Sequence, residues 1–349
     1  MRTFLRHFFD EWLFYLSLFL ALSTSLFLKK FPRITADEVQ VLFILWVFLI
    51  LIKGLQTSGL LDRIALKISK GRFLGLKLVL FTGFLSTLIT NDVALIVMVP
   101  LTLAVGSGGV EKVLIFETLA ANGLSAVSPI GNPQNIFIYL KYSLGPGEFF
   151  KVIWPFGALV LILLTLLSPK ELKGRGAFRE LCVKSALPVA LLFLIFVFVA
   201  LKLLPLYLGV LPLLYALLFR RELFRVDYFL LGTFLFFFAF TDNLSYALKI
   251  QIDSDISVFS YSALLSQVMS NVPAALLVSE FTDRWAPLLW GVSVGGFGTL
   301  VSSMANLITY RLYKKWRGDG KGFLLRFHFY NFLFFFIGFL IYILMLRAL

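Results

Sequence analysis

The chain has 349 residues, of which 60% are hydrophobic and only 15% are charged, and its mean hydropathy is +0.92. No soluble domain of this length hides so much apolar surface, so the composition predicts an all-α polytopic membrane protein. The net charge of +13 is then explained by orientation in the bilayer and not by nucleic acid, and the single cysteine, Cys182, excludes an internal disulfide.

The first half of the chain opens with crossings at about residues 11–28 and 39–60. The next apolar stretch, residues 73–105, has Thr90, Asn91 and Asp92 at its centre. As one helix it would measure about 50 Å, too long for one crossing and short for two with a loop. It therefore predicts a re-entrant helical hairpin with the three polar residues at the tip. Two short tilted helices joined by a polar loop are the alternative.

A broken transmembrane helix is predicted next, over residues 113–140. A loop of small and polar residues, 126–135, interrupts it and ends in the motif Gly-Asn-Pro-Gln-Asn. Small residues let the backbone approach a ligand closely, and each helix end at the break leaves unpaired backbone groups. A crossing at about 149–167 ends the first repeat, residues 1–168. A basic cytoplasmic linker is predicted at residues 169–184.

The second half, residues 185–349, starts with an additional crossing and then repeats this pattern. A hairpin is predicted at 258–280, with residues 270–273 at its tip, and a broken helix at 285–313, interrupted by the loop 295–306. An odd number of crossings separates equivalent segments, so the two repeats have inverted topology. Interrupted apolar segments at matching positions of two halves indicate the binding site of a transporter.

The distribution of basic residues predicts the orientation. With the N-terminus in the cytoplasm, nine predicted crossings leave 22 of the 32 Lys and Arg residues inside and nine outside. We therefore expect a multi-pass protein of the cytoplasmic (inner) membrane with a cytoplasmic N-terminus. The sequence has no His-Glu-x-x-His motif and no P-loop, so we expect neither an enzyme nor a resident cofactor.

The tip at residues 90–92, the Gly-Asn-Pro-Gln-Asn motif at 131–135 and their counterparts at 270–273 and 295–306 carry a family resemblance. The chain resembles the ion transporter superfamily of arsenite permeases, citrate transporter-like proteins, divalent anion/sodium symporters and sodium/proton antiporters. It looks most like small bacterial anion permeases with that motif. The resemblance implies a homodimer in the lipid bilayer. It also implies a secondary active transporter that moves a small anion, a carboxylate or an oxyanion such as arsenite, by alternating access, coupled to sodium or protons.

The resemblance also implies which residues form the site. The substrate would bind at Asn91, Asp92, Asn132, Asn271 and Ser303. Sodium ions would bind at two places, the first near Ser86, Thr90, Asn91 and Gly131 and the second near Ser270, Asn271 and Ser302.

Asp92 departs from the symporter pattern, which has threonine at this position. A buried aspartate repels a dianion, but it carries a proton or neutralises a cation. The alternative function is therefore a sodium/proton antiporter with Asp92 as the proton carrier, and the structural alternative is that Asp92 caps the second leg of the hairpin. Glu117, one or two turns from the predicted inner face, is interpreted as a membrane-edge residue.

Overall fold

The computed structural model describes residues 11–60, 63, 72–174, 186–248, 250–317 and 321–348. Within these residues the chain forms fifteen α-helices and one pair of very short strands, which confirms the predicted all-α class. The helices of the first half are α1 (Trp12–Leu28), α2 (Ala36–Thr57), α3 (Leu74–Ile89), α4 (Asn91–Val105), α5 (Val110–Ser125), α6 (Pro133–Lys141) and α7 (Pro146–Leu167). Those of the second half are α8 (Leu187–Ala200), α9 (Val210–Phe219), α10 (Tyr228–Leu248), α11 (Asp255–Met269), α12 (Asn271–Ser279), α13 (Trp285–Gly295), α14 (Met304–Arg317) and α15 (Lys321–Ala348).

Four of these helices, α2, α7, α10 and α15, are long and apolar enough to cross a membrane. Large apolar side chains cover their outward faces, as Leu166 of α7 and Leu325, Phe329 and Phe336 of α15 show. Such faces are unfavourable in water and favourable against lipid tails. The length, composition and exposure of these helices agree with a membrane protein.

Each pair of helices joined at a polar tip packs as a hairpin on the helix that follows it. Only Thr90 separates α3 from α4, and both helices pack against each other and against α5. In the second half only Ser270 separates α11 from α12, which pack against each other and against α13. The two halves therefore share one local arrangement, a hairpin that rests on the first part of a broken helix.

The second part of each broken helix reaches the hairpin of the other half. Helix α6 packs against α12, and α14 packs against α4. Helices α1, α2 and α10 form a neighbouring scaffold, in which α10 packs against α1, α2 and α12 and α2 packs against α6. This crosswise packing brings both tips and both helix breaks to the same place.

The helix ends lie within three residues of the predicted segments, except at the end of the second broken helix. The second hairpin begins at Asp255, three residues before the predicted start, because Ser254 is the last residue with extended backbone. The second broken helix was predicted to end at Tyr313, but α14 continues to Arg317. Its final turn carries Lys314, Lys315 and Arg317, and basic side chains stabilise the C-terminal end of a helix dipole.

The start of the predicted linker belongs to the folded structure. Strand β1 (Gly106–Gly108) pairs antiparallel with β2 (Lys173–Gly174), which the sequence did not predict. The same segment also contacts the open end of the first hairpin, since the Leu76 amide donates to the Lys170 carbonyl (3.4 Å). Residues 175–184 of the predicted linker lie outside the described residues.

Candidate functional site

The two hairpin tips have the same unusual backbone conformation. Thr90 has φ 77° and ψ 149°, and Ser270 has φ 76° and ψ 153°. This region of backbone space is occupied almost solely by glycine, and a residue with a Cβ is held there at a cost of about 1–3 kcal/mol. The chain thus stores strain at two matching positions, and strain of this kind is concentrated at binding sites.

Relieving this strain should stabilise the protein. We expect Thr90→Gly and Ser270→Gly each to raise the free energy of unfolding by about 1 kcal/mol, seen as a higher midpoint of thermal unfolding in detergent. Thr87→Gly is the matched control, because Thr87 lies one turn earlier within helix α3. Glycine there should lower stability by about 0.5 kcal/mol. A tip variant that loses as much stability as this control would contradict the assignment of strain.

Two asparagine side chains hold the helix breaks in shape. The Asn135 side-chain amide donates to the carbonyls of Ala126 (3.0 Å) and Ser128 (2.9 Å) in the first loop. The Asn306 amide does the same in the second loop, where it donates to the Thr299 carbonyl (3.0 Å). These three bonds satisfy loop carbonyls that have no partner within a helix. Asn135 and Asn306 are therefore equivalent, and both breaks are fixed turns.

The first tip is bonded to the first break through a close backbone approach. The backbone amide of Asn91 donates to the Gly131 carbonyl (3.0 Å). A Cβ at Gly131 would lie 2.1 Å from the Ser125 carbonyl oxygen, so this loop closes only around glycine. In the second half Gln267 of α11 replaces this contact: its side-chain amide donates to the Phe297 carbonyl and its oxygen accepts from the Thr299 amide, both at 3.0 Å.

Asn122, in the middle of α5, joins the first tip to the second break. Its Oδ1 accepts from Asn91 Nδ2 (3.0 Å) and from Ser303 Oγ (2.9 Å). Its Nδ2 donates to Asn306 Oδ1 (2.8 Å) and to the Gly296 carbonyl (3.4 Å). The Asn122 side chain is 4% exposed, and these four bonds use its full hydrogen-bonding capacity.

One small cavity lies between the two tips and the N-terminal ends of α6 and α14. Helices α1 and α10 supply the rest of its wall. Its volume of about 20 Å³ leaves room for about one water molecule, so the site is closed. The lining residues are Leu13, Asn91, Asp92, Pro133, Gln134, Leu230, Thr233, Ser270, Asn271, Val272, Pro273, Ser303 and Met304.

The electrostatics of the cavity favour an anion. Four helices, α4, α6, α12 and α14, begin at its wall. Each helix N-terminus leaves up to four N–H groups unbonded within the helix and carries about half a positive charge. Within the described residues the lining has a single ionisable side chain, Asp92, and its Oδ1 is buried without a hydrogen-bond partner among them. A carboxylate in that position requires a proton or a cation beside it.

Four of the five predicted substrate ligands, Asn91, Asp92, Asn271 and Ser303, line this cavity. Asn132 lies next to it and uses its side chain to cap α6. Its Oδ1 accepts from the Asn135 amide (3.1 Å) and its Nδ2 donates to Ser125 Oγ (3.1 Å).

The predicted sodium ligands lie at the tips and the breaks. Ser270 and Asn271 line the cavity, while Thr90 and Gly131 are at the first tip and the loop bonded to it. The remaining two hydroxyls are buried and donate to backbone, Ser86 to the Gly83 carbonyl (2.6 Å) and Ser302 to the Thr299 carbonyl (2.8 Å). Neutral oxygen atoms of these types suit sodium, and its binding here stays a prediction.

Sequence reasoning gave no site role to three residues, Asn122, Gln134 and Gln267. Gln134 lines the cavity, and the other two join the hairpins to the helix breaks. For Asn122 and Gln267 the sequence offers one signal, an amide side chain within an apolar helix. Inside a membrane such a side chain needs a hydrogen-bond partner.

Comparison with known proteins gives consistent results. The family model CitMHS, described as citrate transporter, matches residues 14–295. The chain is 36% identical over 288 residues to the uncharacterized transporter MJ0456 of Methanocaldococcus jannaschii, covering 79% of this chain and 81% of that protein. It is 32% identical over 354 residues to the inner membrane protein YbiR of Escherichia coli K12, covering 94% of this chain and 93% of that protein.

Proposed function

Since the chain belongs to the citrate transporter family and is a membrane transporter, we propose that it is a secondary active transporter of a small anion. The substrate class is a carboxylate or an inorganic oxyanion such as arsenite. Transport proceeds across the cytoplasmic membrane by alternating access and is coupled to sodium or protons. The N-terminus is cytoplasmic and the protein is a homodimer.

The observation that carries this proposal is the convergence of four helix N-termini on one cavity. Backbone N–H groups and helix dipoles at such a point bind carboxylate and oxyanion oxygens without a cationic side chain. The side-chain amides of Asn91, Gln134 and Asn271 supply further uncharged donors at the wall. A site of this kind binds an anion and still releases it, as transport demands.

Asp92 supports the coupling. An anion that enters beside this carboxylate is repelled unless a proton or a sodium ion arrives with it. The anion and the coupling ion then occupy the site together, and their charges compensate each other. This geometry supports symport, with Asp92 as the group that senses the coupling ion.

Alternating access is supported by the packing. The hairpins form one wall of the cavity, while Leu13 of α1 and Leu230 and Thr233 of α10 form the opposite wall. Movement of the hairpins and broken helices against α1, α2 and α10 opens the cavity to one side at a time. Cross-links between α12 and α10 should abolish transport, and full activity after complete cross-linking would contradict this movement.

The test of the substrate class is a screen of the purified protein. Citrate, succinate, arsenite, sulfate and phosphate are added in thermal-unfolding assays with and without sodium, at acidic and neutral pH. Anions that raise the midpoint are then tested for uptake in proteoliposomes. We expect at least one anion to be transported only with a sodium or proton gradient. Sodium/proton exchange without any anion would instead support the antiporter alternative, which the single carboxylate in the cavity favours.

Asp92→Asn separates a coupling role from a structural one. The backbone amide of Asp92 donates a hydrogen bond to Asn91 Oδ1 (2.9 Å), and among the described residues no hydrogen-bond partner is found for the buried Asp92 Oδ1. Asparagine has the same shape and caps a helix about as well, so stability should change by less than about 0.5 kcal/mol. We expect transport to lose its dependence on the coupling gradient. A folded variant with the sodium and pH dependence of the wild type would exclude Asp92 as the coupling residue.

A further inference from the structure

Glu117 is a buried acid outside the cavity. The sequence placed it near the membrane edge, but the structure buries it completely, at 0% exposure, between α5 and the two legs of the first hairpin. Its Oε1 lies 2.6 Å from Thr102 Oγ1 of α4 and 3.4 Å from Thr82 Oγ1 of α3. Its Oε2 is buried and has no hydrogen-bond partner in the described part of the chain. One carboxyl group thus connects three helices.

The hydrogen bonds around Glu117 fit a protonated acid. Thr82 has one hydroxyl hydrogen, and the Leu78 carbonyl lies 2.7 Å from its Oγ1 in position to accept it. Thr82 then presents a lone pair to Glu117, which repels a carboxylate and accepts from a carboxylic O–H. An ionised Glu117 would keep a single strong bond, from Thr102, and would leave a charged oxygen bare inside apolar packing.

No cation among the described residues pairs with this group. The titratable side chains on the two hairpin legs that it faces are Lys77, which is exposed in the first turn of α3, and Asp92, which lies at the cavity. On its own helix Glu111 accepts from Arg326 (2.7 Å), and Lys112 lies over aromatic rings.

The other neighbours of α5 meet different faces of this helix. Helix α14 contacts α5 at Thr118, whose hydroxyl donates to Thr309 (2.8 Å). Helix α15 contacts α5 at Phe116, which packs on Tyr330. Helix α7 approaches at Gly123, and α13 carries no titratable side chain. Among the described residues none forms an ion pair with Glu117.

We propose that Glu117 of α5 is a proton-binding site beside the first hairpin, and that its proton holds α5 against both hairpin legs. Loss of the proton places a carboxylate against the Thr82 lone pair and weakens the packing of the hairpin on α5. The effect reaches the cavity because Asn122, five residues further along α5, holds Asn91 at the tip. The part of this proposal that concerns transport rests on the proposed function, whereas proton binding does not.

Infrared spectroscopy tests proton binding without any substrate. An ordinary glutamate is protonated in only about one molecule in 500 at pH 7, so a neutral carboxylic acid is distinctive. We expect the wild-type protein at pH 7 to show the C=O stretching band of a protonated carboxyl group. Labelling the protein with ¹³C-glutamate should shift that band. Glu117 is the one fully buried glutamate of the described part of the chain. The band should be absent in Glu117→Gln and present in Glu111→Gln.

A wild-type spectrum at pH 7 without a ¹³C-glutamate-sensitive acid band would overturn the proposal, and so would a band that persists in Glu117→Gln. Isotope labelling keeps the test decisive if Glu117→Gln fails to fold. These results do not depend on whether any anion is transported. A labelled band in a protein that moves no anion would sustain the proton site and refute the proposed function.

Thermal unfolding gives the second measurement. The unfolded chain releases this proton once the pH exceeds the ordinary glutamate pKa of about 4.3, whereas the native state keeps it, so stability falls as the pH rises. The midpoint of the wild type should therefore fall from acidic to neutral pH relative to that of Glu117→Gln, whose amide keeps its hydrogens. If the unfolding midpoints of the two proteins change with pH in the same way, the proton does not hold the hairpin against α5 as proposed.

Discussion

Alanine at Gly131 is expected to remove transport and to lower the free energy of unfolding by about 3 kcal/mol. The added Cβ would lie 2.1 Å from the oxygen and 2.9 Å from the carbon of the Ser125 carbonyl. Both are backbone atoms, so no flexible side chain yields and the loop itself must move. That movement breaks the bond from the Asn91 amide to the Gly131 carbonyl, which fixes the first tip.

Gly147→Ala provides the control for this prediction. Gly147 lies in the first turn of α7, and a Cβ added there would meet no heavy atom within 4 Å. Alanine at that position should be neutral or stabilise the protein by up to about 1 kcal/mol. The measurements are the midpoint of thermal unfolding in detergent and uptake in proteoliposomes. Wild-type unfolding and uptake in Gly131→Ala would show that the break tolerates a wider loop.

The second large effect is expected from Asn122→Ala. The substitution leaves Asn91 Nδ2, Ser303 Oγ and Asn306 Oδ1 without this partner inside the protein. Several buried polar groups without partners cost about 2–4 kcal/mol together, and the contact between the first tip and the second break is lost. We expect a lower unfolding midpoint and uptake reduced to the background of empty liposomes.

Asn331→Ala is the matched control, because Asn331 is also buried but makes one bond, to the Phe327 carbonyl (2.9 Å) of its own helix α15. Its loss should cost about 1 kcal/mol and preserve uptake. A double-mutant cycle of Asn91→Ala with Asn122→Ala measures the contact directly. Additive effects of the two substitutions would refute coupling through this hydrogen bond.

The hairpins and helix breaks were predictable because each corresponds to a local sequence pattern. An apolar stretch too long for one crossing, with Thr90, Asn91 and Asp92 at its centre, has few ways to satisfy its backbone in a membrane. Small residues mark the two loops in the same way. These are local features, and the resulting bounds of α3 to α6 lie within three residues of the predicted segments.

The contacts of α5 were not predictable by the same reasoning. Distance along the helix placed Glu117 near the inner face, but its burial is set by the two hairpin legs that pack over it. Asn122 is one amide in an apolar helix, and its partners come from α4, which precedes α5, and from α14 in the other half of the chain. The short strand pair likewise depends on two glycine-containing segments that meet only in the folded protein.

The amide bonds of Asn135 and Asn306 give the site its energetic character. Because they hold both helix breaks in one shape, the dipoles around the cavity are oriented before a ligand arrives. A preorganised site loses little entropy and needs little reorganisation on binding, so selectivity comes from the fit of rigid groups. The cavity of about 20 Å³ admits nothing larger than water while it is closed. In the proposed alternating-access mechanism, the rate of ligand capture is therefore set by how often the cavity opens, and not by how well the groups inside recognise the ligand.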